Sequence, residues 1–189
     1  MFPHRLVRAG FGAVLLATVL TMSGDASGMR EIRMLDDCEQ FSFNAVLGRR
    51  ACVGEGDTTF QEFNAELAAN QKVGAWRFNP SDTDVENGEQ LFLRSRAGET
   101  HTFTKVAAFG GGFVPPLNAA SGNPVPRPEC AQVLPGGGLA PRPDSPTNLF
   151  VFAFEHRFGP TAGTPQLPTG ETKWQCCIHP WMRTTINTK

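Results

Sequence analysis

The sequence predicts a mainly β fold: a β-sandwich with a short helix near its N-terminus and a long loop segment inserted among its strands. Three observations point there. Several stretches alternate apolar and polar residues with period two, and Gly, Pro and Asn-Gly signals bound them. The composition, 15 Phe, 15 Pro and 20 Gly with no Tyr, suits short strands and many turns rather than long helices. A length of 189 residues with 40% hydrophobic content provides one ordinary core and some extra chain.

The N-terminus stands apart from that core. Arg5 and Arg8 precede the apolar run "AGFGAVLLATVLTM" (Ala9–Met22), and Gly24-Asp25-Ala26 supplies small residues suited to cleavage. Residues 1–26 read as a secretory signal peptide rather than a retained membrane anchor, because the run is short for a bilayer. Cleavage removes two positive charges and one negative from a chain of formal charge -1 and leaves -2. Nothing in that balance points to nucleic acid or an anionic membrane surface. The expected location is secreted or periplasmic, where disulfides persist, with no stable membrane insertion after the signal is removed.

Residues 27–72 read as an N-terminal extension. Cys38 and Cys52 are spaced to close a small structural loop. In "TTFQEFNAELAAN", Thr58 with Gln61 or Thr59 with Glu62 fits a capping box. Phe60, Phe63 and Leu67 then share one face, which predicts a helix over about 59–70. Residues 73–189 read as the main domain. "AWRFNP", "VENGEQLFLRS" with its Asn87-Gly88 turn, and "ETHTFTKVAAF" are strand-like. Residues 109–148 hold nine Pro and seven Gly, which predicts a long loop insertion carrying Cys130. "NLFVFAFEHRF" (148–158) alternates, with Phe150, Phe152 and Phe154 on one face and Val151 and Ala153 on the other. "ETKWQCCIHPWMRTTINT" reads as a strand, a tight loop and a last strand.

That last loop carries the chemistry. Cys176, His179 and Met182 fall at Cys-x-x-His-x-x-Met spacing. Thiolate and thioether are soft ligands suited to copper, imidazole binds copper well, and a structural zinc site rarely recruits Met. A catalytic Cys–His pair would leave the Met unexplained. Five cysteines are an odd number for an exported chain, and two disulfides plus one metal thiolate would account for them.

"WQCCIHPWMRTTI" resembles the C-terminal copper loop of the cupredoxins, with the spacing of the amicyanin type. Trp174 stands two residues before Cys176, where that family carries an aromatic, and His179-Pro180-Trp181-Met182 matches its His-Pro-aromatic-Met. The resemblance implies a Greek-key β-sandwich and one type 1 copper ion held by Cys176, His179 and Met182. It also implies a first His from an earlier strand: His101 in "GETHTFT" is the favoured match, with His156 as the other choice. His179 would sit at an exposed edge, with Pro180 and Trp181 forming an apolar docking patch for a redox partner protein. Packing of Trp181 under the long loop is the other reading. The Asn that the family usually carries before its first His is replaced here by Arg94 and Ser95.

Neighbouring strand residues point to opposite faces. Cys176 shares the face of Trp174 and Cys177 turns away, to pair with Cys130 or remain a free buried thiol. The expected function is an exported, monomeric blue-copper electron carrier. Two other readings stay open: a copper-handling module without a redox partner, and a disulfide-stabilised secreted domain. An enzyme of the multicopper oxidase or nitrite reductase kind is not expected, since the mature chain keeps only His101, His156 and His179.

Overall fold

The computed structural model describes residues 28–86, 88–142, 148–151, 155–158 and 167–189. The expected signal segment, Asn87, residues 143–147 and Phe152 to Phe154 lie outside the described residues. The first half of the chain forms β1 (Met29–Leu35), α1 (Gln40–Leu47), α2 (Phe60–Asn70), β2 (Arg77–Asn79), β3 (Asp82–Val85), β4 (Gln90–Ser95) and β5 (His101–Val106). The second half forms α3 (Pro115–Ala120), β6 (Ala131–Val133), β7 (Leu139–Pro141), β8 (Asn148–Val151), β9 (Glu155–Phe158), β10 (Gly170–Gln175) and β11 (Arg183–Thr188).

The strands form two main sheets, in the orders β2-β1-β4-β9 and β3-β11-β10-β5-β8. β1 comes from the segment set apart by sequence as an extension, yet it is paired on both sides, antiparallel to β2 and parallel to β4. Ile32, Met34, Leu91 and Leu93 of the first sheet join Phe103, Trp174 and Ile186 of the second in one buried core. Phe78 and Phe103 meet edge to face across the two sheets, with centroids 5.3 Å apart. Burying each such side chain contributes roughly 1.5–3 kcal/mol. The segment expected as one strand over 148–158 is divided: β8 pairs with β5 in the second sheet and β9 with β4 in the first. Both halves have strand composition, but the chain changes sheets between them, as strands do at sandwich corners.

α2 forms where the capping box predicts it. Thr59 Oγ1 accepts from the Glu62 amide at 3.2 Å, and Glu62 accepts from the Thr59 amide at 2.9 Å. Phe63 and Leu67 are buried beneath it. Thr59→Ala is expected to cost about 1 kcal/mol, read by urea denaturation, because the Glu62 amide loses its side-chain acceptor. α1 is an additional helix with no counterpart in the sequence reading. Glu39 caps it by accepting from the amides of Phe41 and Ser42. The Cys38–Cys52 disulfide brackets it, and Asn44 bonds both the amide and the carbonyl of Cys52 at 2.9 Å.

The Pro/Gly-rich segment holds local structure. α3 starts at Pro115-Pro116, where missing amide donors cost nothing, and β6 and β7 pair as a hairpin. The segment is fastened to the last loop. A Cβ at Gly112 would overlap the Cys177 carbonyl, so only glycine permits this approach. Gln175 bonds both backbone groups of Gly110 at 3.0 Å, and Cys130 is disulfide-bonded to Cys177.

Candidate metal centre

β10 and β11 are antiparallel neighbours, and the seven-residue connection between them, residues 176–182, is tightened by two backbone bonds. The Cys176 amide donates to the Met182 carbonyl at 3.0 Å, and the Met182 amide to the His179 carbonyl at 2.9 Å. β5 runs antiparallel to β10 on its other side, which brings the start of β5, where His101 stands, beside the end of β10, where Cys176 follows. Alternation then separates the two cysteines. Cys176 joins the main core with Trp174, which stacks on Phe103 at 4.6 Å. Cys177 packs with Cys130 and Val106 in a second cluster, and the Cys177 amide donates to Thr102 Oγ1 at 2.7 Å. All five cysteines are thereby placed: two disulfides and one free, buried thiol, Cys176.

His101, Cys176 and His179 converge. The two Nδ1 atoms are 3.3 Å apart and lie 3.8 and 3.9 Å from Cys176 Sγ. A point equidistant from the three atoms is about 2.1 Å from each, which falls among first-row metal–imidazole and metal–thiolate bonds of roughly 2.0–2.3 Å. Met182 is fully buried in the same loop. His156 sits on β9 in the first sheet, its backbone facing Leu93, while the second sheet supplies His101.

The electrostatics favour a thiolate with oriented imidazoles. Burial opposes charge on Cys176, but hydrogen bonds and charges from His101 and His179 hold its pKa well below the ordinary thiol value. The amides of Thr102 and His179 both donate to its sulfur at 3.4 Å. Burial likewise opposes a charge on His101; the bonds and charges of Asp36 and Cys176 prevail and push its pKa up to about 10. His101 Nε2 donates to Asp36 Oδ2 at 2.8 Å, which leaves Nδ1 for the site when the ring is neutral. Asp36 is itself fixed by the amides of Gly98 and Glu99 at 2.8 and 2.9 Å. Burial raises the Asp36 pKa, and these bonds with His101 bring it below the usual value on balance. Glu99 lies 3.6 Å from His179 Nε2 and accepts from Trp76 Nε1 at 2.6 Å.

Asp36 and Glu99 are the site's supporting residues that sequence reasoning missed. "MLDDCEQ" holds no motif marking Asp36, and only the β1–β4 pairing carries it to the loop before β5. It supplies the tie between loops that the absent Asn leaves open. Asp36→Ala is expected to weaken metal binding about 10–100-fold in a competitive titration, with unchanged affinity contradicting the assignment.

The exposed edge implied for His179 is not observed. His179 is 3% exposed, because α2 lays Phe63 over it at 6.3 Å and Trp181 flanks it at 5.4 Å. Pro180 is buried and Trp181 half-buried against Phe63, so neither presents an open patch.

No protein-family model matches the sequence, and no curated protein matches it. Among solved structures, the chain is similar to a purple cupredoxin from Nitrosopumilus maritimus, at 10% identity and a TM-score of 0.37, over 85% of this chain and 99% of that one. It is similar to the oxidised plastocyanin of Dryopteris crassirhizoma, at 13% identity and a TM-score of 0.33, over 84% and 99% of the two chains. It is also similar to a copper-containing nitrite reductase from Thermus scotoductus, at 17% identity and a TM-score of 0.30, over 60% of this chain and 20% of that one. The fold is cupredoxin-like: two packed β-sheets, with a Cys-x-x-His-x-x-Met loop joining adjacent antiparallel strands. At such identities and TM-scores, the metal reading rests on the chain's own residues.

Proposed function

We propose that this is an exported mononuclear type 1 copper protein that carries single electrons, with His101, Cys176, His179 and Met182 as ligands. The observation that supports it best is the triangle of two Nδ1 atoms and one Sγ, sized for one metal ion and carried by three buried residues. A donor set of two imidazoles, one thiolate and a Met fits copper better than zinc. Copper held there would supply one-electron chemistry between Cu(I) and Cu(II).

The chain's own residues do the rest. The packed sheet ends fix the three strong donors, so either oxidation state meets nearly the same geometry. Asp36 holds the tautomer of His101. Two amide donors on the sulfur draw negative charge from the thiolate, a lever on the reduction potential. Phe63 and Trp181 shield His179, so an electron from a redox partner protein would enter across packed aromatic rings. With two of the mature chain's three His in this site, a single His remains for any other, which favours a carrier over an enzyme.

Reconstitution of the mature protein with Cu(II) tests this. One copper per chain, an absorption band near about 600 nm and a reversible potential are expected. Loss of the band in His101→Ala and its survival in His156→Ala are expected as well. Colourless Cu(I) binding without a reversible couple would instead favour a copper-handling role.

A further inference from the structure

A second feature lies beside the metal centre. A cleft of about 350 Å³ opens between the three helices and ends at His179 and Glu99. Its volume falls within the roughly 300–1,000 Å³ of small-ligand sites, and about 150 Å³ suffices for a benzene ring. The walls are Phe43 of α1, Phe60 and Phe63 of α2, Val114 and Leu117 around α3, and Ile178. Aromatic walls favour an aromatic guest, through edge-to-face contacts. No lysine or arginine among the described residues lines the cleft, so an anion would lack a counter-charge.

One polar group at its inner end is incompletely used. The Glu99 side chain is 9% exposed, and its Oε2 accepts from Trp76. Its other oxygen accepts no hydrogen bond from any described residue. An acceptor in an apolar cleft selects a donor group, since leaving it unpaired costs about 1–3 kcal/mol. His179 Nε2 lies 3.6 Å from this carboxyl, and the apolar walls would strip the water from a cationic guest without replacing it.

We propose that this cleft binds a small neutral aromatic molecule carrying one hydroxyl, with the ring among the phenylalanines and the hydroxyl donating to Glu99. This site does not depend on the copper reading, because every wall and the acceptor are present without a metal.

The test uses the mature protein, with and without copper, titrated with 4-ethylphenol, ethylbenzene and 2-phenylethylammonium and followed by ligand-observed NMR. Saturable 1:1 binding of 4-ethylphenol is expected in the millimolar range or tighter, with ethylbenzene about tenfold weaker or more. Leu117→Trp and Val114→Phe fill the cleft and should each weaken 4-ethylphenol at least about tenfold. Glu99→Met should reduce its preference over ethylbenzene to about twofold or less. Circular dichroism identifies a variant that fails to fold, and the remaining variants then decide. No saturable binding to the unmodified protein, undiminished binding by both folded filling variants, or tighter binding of the ammonium overturns the proposal. Binding to the metal-free protein combined with failure to take up copper would refute the copper reading alone.

Discussion

Cys176→Ser is expected to abolish the visible copper–thiolate band and to weaken copper binding by more than about 100-fold, beyond what loss of an outer partner costs. The reason is chemical rather than steric. Serine matches cysteine closely in shape, and the Thr102 and His179 amides that now reach sulfur can reach its hydroxyl. A serine hydroxyl stays protonated where the Cys176 thiol is pulled toward the thiolate, and hard oxygen is a poor exchange for soft sulfur on copper. Both disulfides persist in this variant, because Cys176 belongs to neither, so circular dichroism should remain unchanged. Full retention of copper by Cys176→Ser would support a merely structural role for this loop and contradict the proposed site.

The largest expected stability loss comes from removing the Cys130–Cys177 bridge. In the chain-entropy account, its 47-residue separation corresponds to about 4 kcal/mol, against about 3 kcal/mol for the 14-residue Cys38–Cys52 loop. The site is expected to suffer too. Cys177 is the residue after the thiolate, and the bridge secures residues 109–130 against that loop, together with the Gln175–Gly110 bonds and the Phe113 amide donating to the Cys177 carbonyl at 2.9 Å. The variant Cys130→Ala/Cys177→Ala should therefore lose more stability in urea than Cys38→Ala/Cys52→Ala, and should release copper faster. Equal losses, or a loss under about 1 kcal/mol, would show that the bridge does not anchor the segment.

What could be read from the sequence was local. Cys176 and His179 lie in one loop, so spacing alone brings them together with Met182 buried in the same loop, and Trp174 fixes which sulfur faces inward through strand alternation. α2 was equally legible, because Thr59, Glu62 and the Phe63–Leu67 stripe lie within one helix. The unread parts depend on partners distant in the chain. Asp36 reaches His101 across 65 positions and Glu99 is bonded by Trp76 across 23. α1 escaped notice because Glu39 is an unusual cap and only Phe43 of its apolar residues is buried. The change of sheet between β8 and β9 left no mark either, since both halves have strand-forming composition. The cover over His179 has the same origin: Phe63 was visible as a helix stripe, but nothing local says which surface that stripe meets.

X-ray absorption at the copper edge of the reconstituted protein tests the central claim most directly. A shell of two nitrogens at about 2.0–2.1 Å with a single sulfur at about 2.1–2.3 Å is expected, the sulfur vanishing in Cys176→Ser. A first shell of nitrogen and oxygen alone, or a sulfur that persists in Cys176→Ser, would contradict it.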